Sequence, residues 1–172
     1  MKKAIISSIF IFCLFLLQST LSSMFGLGNI RPNLLIVATA SLGFLGGKRT
    51  GIYAGFFSGL LMDVCFRSVY GMNAMLYMYI GYVCGMLNKV LFPKDIKLPL
   101  LFIVISDMSY SILYYFFQFF FRGKFNFGYY VRSIMLPEMV YTAITACILY
   151  PVIHYIMRRI ELPEKKGEQT IV

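Results

Sequence analysis

Apolar residues in this chain gather in six long blocks separated by short polar or charged breaks, instead of the one-faced helices and alternating strands of soluble domains. The blocks run from Ala4 to Leu21, Asn33 to Gly46, Gly51 to Phe66, Gly71 to Phe92, Leu98 to Phe121 and Ser133 to Met157. A helix needs about 20 residues to cross the hydrocarbon core of a bilayer, with a range of about 17–25. The pattern predicts an all-α polytopic membrane protein. Its single domain, residues 1–159, is a compact bundle of six transmembrane helices, and residues 160–172 form a short cytoplasmic tail.

The second and third blocks are short and cover only about 21–24 Å at 1.5 Å per residue. They fit two crossings joined by a tight turn at Gly46-Gly47-Lys48-Arg49-Thr50, or a re-entrant hairpin entering from outside. The hairpin would bury Lys48 and Arg49 at a cost of several kcal/mol, which favours two crossings. The first block, with Lys2 and Lys3 ahead of it, also resembles a signal peptide. Gln18-Ser19-Thr20-Leu21-Ser22 is a poor cleavage site, so an uncleaved first helix is expected.

Composition agrees with the blocks. Hydrophobic types make up 59% of the 172 residues and charged types 13%, against about 25% charged in soluble domains. The mean hydropathy is +0.76. A soluble enzyme, a disulfide-stapled secreted module and a disordered tail are excluded. The net charge of +9 does not point to nucleic acid, because the basic residues sit between apolar blocks rather than on a face with stacking aromatics. It orients the chain in the membrane instead. With the N-terminus inside, the inner segments hold eleven basic residues: Lys2, Lys3, Lys48, Arg49, Lys89, Lys94, Lys97, Arg158, Arg159, Lys165 and Lys166. The outer segments hold five, Arg31, Arg67, Arg122, Lys124 and Arg132. This asymmetry predicts a multi-pass plasma-membrane protein with both termini cytoplasmic.

Lipid tails are as apolar as leucine, so membrane helices associate through close packing, which small residues permit. The third block carries Gly51, Gly55 and Gly59, and the fourth carries Gly81 and Gly85, both at four-residue spacing. These glycines are candidate sites for internal helix packing or for docking a partner's membrane helix. The aromatics from Tyr110 to Tyr130 are expected to form an interfacial belt at the outer boundary.

Ionisable groups inside apolar blocks are site candidates by default. Asp63 lies where the dipole of its own helix is unfavourable, and Arg67, four residues on, is positioned to compensate it. The alternative is that Asp63 holds a partner or an outer loop. Asp107 stands about 14 Å into the fifth helix, with Ser106, Ser109 and Ser111 nearby, and is expected to make a polar packing contact. No second acid is expected at its depth, which argues against a proton relay. Glu138 follows Pro137 in what reads as the first turn of the sixth helix, where both suit the helix start. His154 reads as an interfacial residue. Cys13, Cys65, Cys84 and Cys147 stand singly. No catalytic set, cofactor-binding motif or metal site is expected.

The ordered segments Arg31-Pro32-Asn33-Leu34-Leu35-Ile36-Val37, Gly47-Lys48-Arg49-Thr50-Gly51, Gly55-Phe56-Phe57-Ser58-Gly59-Leu60-Leu61-Met62-Asp63 and Ser68-Val69-Tyr70-Gly71-Met72-Asn73-Ala74 resemble the MreD family of bacterial rod shape-determining membrane proteins. The resemblance covers residues 31–85. It implies a non-catalytic scaffold of the cell-elongation machinery, linking MreC and the MreB cytoskeleton to peptidoglycan synthesis by RodA and a class B penicillin-binding protein. It also implies a fold like the substrate-capture subunits of energy-coupling-factor transporters. A small-molecule (vitamin) capture subunit is therefore the alternative function. The family supplies no catalytic residue to carry over; Asp63 and the third-block glycines match its motif.

Overall fold

A computed structural model describes residues 2–24, 32–66, 71–90, 97–119 and 127–168. The described residues are almost wholly helical. Helix α1 spans Lys2–Met24, α2 Leu34–Phe66, α3 Met72–Val90 and α4 Lys97–Phe119. A short α5, Phe127–Tyr130, runs through a π-helical turn, Val131–Met135, into α6, Leu136–Glu168. Arg67 and Tyr70 lie outside the described residues, as do Arg31, Lys94, Arg122 and Lys124.

Helix α2 is two antiparallel arms, residues 34–46 and 48–66, hinged on one residue. Gly47 has φ 80° and ψ −175°, a left-handed conformation open to glycine and costly for residues with a Cβ. The turn expected over Gly46–Thr50 is thus a single-residue break. Beyond it the arms fold back on each other, and the Thr39 hydroxyl donates to Ser58 Oγ at 3.2 Å. The last carbonyls of the first arm, which have no intrahelical donor, accept from the Asn88 side chain: Phe44 O, and Leu45 O at 3.3 Å.

The first arm is the axis of the molecule. Every residue from Asn33 to Phe44 is buried. Each of the other long helical segments touches it. Gln18 of α1 accepts the Leu35 N–H at 3.1 Å, Ser58 of the second arm meets Thr39, and Tyr77 of α3 donates to Asn33 at 2.7 Å. Phe102 of α4 stacks on Phe44 with ring centroids 6.4 Å apart, and Thr142 of α6 accepts the Asn33 N–H at 3.2 Å. A helix enclosed on all sides by protein has no lipid-facing stripe. Such a helix can carry the polar Thr39 and Ser41 within its otherwise apolar sequence without exposing them to lipid.

The sixth block differs most from its expected bounds. Helix begins at Phe127, not Ser133, and continues to Glu168, through most of the segment read as a tail. Pro137 therefore stands ten residues into the helical run instead of in its first turn. A proline there lacks the N–H for its i−4 bond and crowds that carbonyl. The π turn just before it relieves this, the Leu136 N–H bonding five residues back to Val131 O.

Candidate functional site

The small-residue stripes of the second arm and α3 face each other. A Cβ on Gly51 would strike the Gly81 carbonyl, and one on Gly81 would strike the Gly51 carbonyl. One on Gly55 would meet the Tyr77 backbone, one on Gly59 the Asn73 and Ala74 backbone, and one on Gly85 would lie 2.6 Å from Lys48 Cα. The contacts step antiparallel, four residues at a time, so backbone lies on backbone along the whole pair. Gly43 of the first arm joins the same point, 3.4 Å from Gly51 Cα by its own added Cβ. Three segments therefore cross where only glycine fits. The glycine stripe is filled by this chain's own helices.

At the opposite end from Gly47, polar groups replace glycine as the tie. Asn33 Oδ1 accepts from Tyr77 Oη at 2.7 Å and from the Ile36 N–H at 3.3 Å, capping the first arm. The Thr142 hydroxyl accepts the Asn33 N–H and bonds the Asp107 carboxyl. Tyr110 Oη donates to Asn73 Oδ1 at 2.8 Å, and its ring meets Tyr77 edge-on with centroids 5.1 Å apart. Asp63 Oδ1 accepts the Asn73 N–H at 3.2 Å and Oδ2 accepts the Ala74 N–H at 3.0 Å. Gln18 Nε2 reaches Met62 Sδ at 3.9 Å. One buried polar layer thus links α1, both arms, α3, α4 and α6.

The expected acids fall in that layer. Asp63 is 2% exposed and acts as an N-cap from outside the helix it caps, because Gly71, with φ 86°, has no side chain to do so. Its proposed partner Arg67 lies outside the described residues. Asp107 is 1% exposed and its Oδ1 has no hydrogen-bond partner. The expectation that it has no second acid at its depth is corrected. The helix start at Phe127 places Glu138 about 16 Å down its helix, against about 15 Å for Asp107 from Lys97. Each then lies more than two helical turns inside its helical run. The tyrosines are also corrected in part. Tyr110 and Tyr130 are buried, while Phe116 and Tyr129 face outward.

Several of these residues carry no charge, so ionisable groups in the apolar blocks do not point to them. Gln18, Asn33 and Thr142 are uncharged polar residues inside apolar blocks, and Thr142 stands one helical turn from Glu138. Gly43 extends the four-residue series through Gly47, Gly51, Gly55 and Gly59. Cys84 is buried 3.2 Å from Ser106 Oγ, whereas Cys13, Cys65 and Cys147 are exposed. His154 packs beside the Tyr150 ring with centroids 6.1 Å apart.

The outer surface reverses the order of a soluble protein. Ile9, Phe12 and Leu16 of α1, Tyr79 and Tyr82 of α3, and Val140, Ile144 and Ile148 of α6 are exposed, while the polar layer is enclosed. Hydroxyls on the exposed faces bond back to their own helices, Ser109 to Ile105 O at 2.8 Å and Thr145 to Tyr141 O at 2.7 Å. Among the described residues, the 20-residue stretch Leu98–Phe117 and the 30-residue stretch Gly128–Met157 are long and apolar enough to cross a membrane. Ile5–Thr20 is a shorter apolar helix.

A family model described as rod shape-determining protein MreD matches residues 2–160. No curated protein and no solved structure matches the chain.

Proposed function

The chain belongs to the MreD family of rod shape-determining proteins, and from that premise we propose that it is a non-catalytic membrane scaffold of the cell-elongation machinery. In this reading α1, the two arms, α3, α4 and the α5–α6 run each cross the bilayer. The Gly47 end, which carries Lys48 and Arg49, faces the cytoplasm together with both termini. The scaffold presents its outer helix faces to the membrane helix of MreC and its Gly47 end to MreB. Through them it acts on RodA and its class B penicillin-binding partner.

The observation that supports the scaffold reading is how the interior is used. Its glycines are spent on backbone contact and most of its buried polar groups on one another, which makes a rigid body with apolar outer faces. Gly51, Gly55, Gly59, Gly81 and Gly85, with Asp63, act as packing positions in this reading; Arg67 remains the partner first expected for Asp63. Partner contact then falls on exposed faces such as Met75, Tyr79, Tyr82 and Met86 of α3.

Depletion tests the reading. Loss of the protein is expected to turn rods into spheres, and MreC is expected to co-purify with the tagged chain. A stoichiometric small molecule in the purified protein, with rod shape kept on depletion, would overturn it in favour of ligand capture.

A further inference from the structure

On the α3 side, the Gly47 end of the bundle is closed by glycine contacts and by Asn88. On the other side α1 and α6 flank the first arm and leave an open groove between them, about 210 Å³ including its mouth. Ile6, Ser7 and Phe10 form its α1 wall, Ile153, Ile156 and Met157 its α6 wall, and Leu42 its floor. Leu42, Ile153 and Met157 are buried, whereas Ile6 at the rim is exposed among the apolar outer faces. The Ser7 hydroxyl is the one polar side-chain group in this lining.

The groove lies where basic residues gather. Leu42 is five residues before the Gly47 hinge, about 7–8 Å along the first arm. Lys2 and Lys3 stand one helical turn before Ile6 and Ser7. Arg158 directly follows Met157, and Arg159 stands three residues beyond Ile156. Four basic residues thus occupy the ends of the two helices that wall the groove. Glu161 and Glu164 come further along α6, where Lys165 and Lys166 offset them.

The dimensions select the occupant. Each wall runs only four residues, about 6 Å along its helix. That is too short a track for a further membrane helix, which packs along its partner over several turns. A single hydrocarbon chain fits such a track, and basic pockets between membrane helices hold the phosphate of anionic lipids.

We propose that this groove seats one acyl chain of an anionic phospholipid, whose phosphate lies against the basic ends of α1 and α6. The lipid fills the space between the two terminal helices and joins them into one outer face. The orientation given above supplies only the leaflet, the cytoplasmic one. Binding is measured without it, and depletion and co-purification test the scaffold reading, so the two can fail separately.

Native mass spectrometry of the full-length protein in detergent provides the test. It is titrated with phosphatidylglycerol or with phosphatidylcholine of the same acyl chains, for wild type, for Lys3→Gln combined with Arg159→Gln, and for Ser7→Phe. Wild type is expected to retain one phosphatidylglycerol about tenfold more tightly than phosphatidylcholine. The charge variant is expected to lose most of that preference. Ser7→Phe, whose ring fills the groove, is expected to lose the retained lipid. Should Ser7→Phe fail to fold, wild type alone decides, because phosphatidylglycerol with a diazirine in its acyl chain is expected to mark Ile6, Phe10 or Ile156. Equal binding of the two lipids, an undiminished preference in the charge variant, or label only at other residues would overturn the proposal. So would lipid retained by folded Ser7→Phe, or a dimer that Ser7→Phe breaks, which would seat a second copy of the chain in the groove.

Discussion

The Asp63 carboxylate closes the first turn of a helix to which it does not belong, Oδ2 accepting the Ala74 N–H at 3.0 Å and Oδ1 the Asn73 N–H at 3.2 Å. Those are the two donors that a capping side chain at Gly71 would serve. The same contact places the charge at the positive end of the α3 dipole, offsetting the negative end of its own helix. The link between the second arm and α3 is therefore held at both ends, by this cap and by the packing of Gly85 on Lys48.

Asp63→Ala is expected to leave two buried N–H groups without an acceptor and to cost about 2–3 kcal/mol. Asp63→Asn keeps an acceptor and loses the charge, so its cost is smaller, about 1 kcal/mol. Unfolding of the purified protein by denaturing detergent measures both. Equal stability of wild type and Asp63→Ala would remove the cap from the account.

Gly51→Ala and Gly81→Ala each force a methyl group onto backbone, which cannot swing aside as a side chain can. Losses toward the upper end of about 1–3 kcal/mol are expected. Gly55→Leu is expected to prevent assembly of the folded bundle. Gly128→Ala is the control, since nothing lies within 4 Å of its added Cβ. Yield of monodisperse protein and melting temperature separate the sets.

Asn88→Ala uncovers the last carbonyls of the first arm, and a loss of about 1–2 kcal/mol is expected. Hydrogen exchange is the specific readout. Amides near the Gly47 hinge are expected to exchange faster, while those around Asn33 hold.

Tyr77→Phe deletes the buried hydrogen bond to Asn33 and Tyr110→Phe the one to Asn73, each at a cost of about 1 kcal/mol or more. The rings touch, so the double variant is expected to depart from additivity by about 0.5 kcal/mol or more. Strict additivity would mean that the two hydroxyls act separately.

Much of this was legible along the chain. The helical class follows from block length alone, and the membrane family from the residues between Arg31 and Ala74. The four-residue glycine spacing marked the faces of the second arm and α3, although spacing on one helix cannot say which helix fills it. What escaped was set by three-dimensional neighbours. Glu138 reads as a helix-start acid when Pro137 is taken as the start, and only the π turn shows that helix begins ten residues before that proline. Asp63 looked to Arg67 because local sequence offers the i+4 residue, whereas the N–H groups it binds come from the next helix. The central place of the first arm was hidden because an apolar run facing lipid and one facing protein are spelled alike.

That placement is the claim on which the packing account rests, and wild-type protein can test it directly. Photolabelling in nanodiscs with an apolar aryl diazirine, mapped by mass spectrometry, marks side chains that meet lipid. The account predicts label at Ile9, Phe12 and Leu16 of α1 and at Ile144 and Ile148 of α6, with none between Asn33 and Phe44. Label recurring every third or fourth residue through Asn33–Phe44 would give the first arm a lipid-facing side and contradict it.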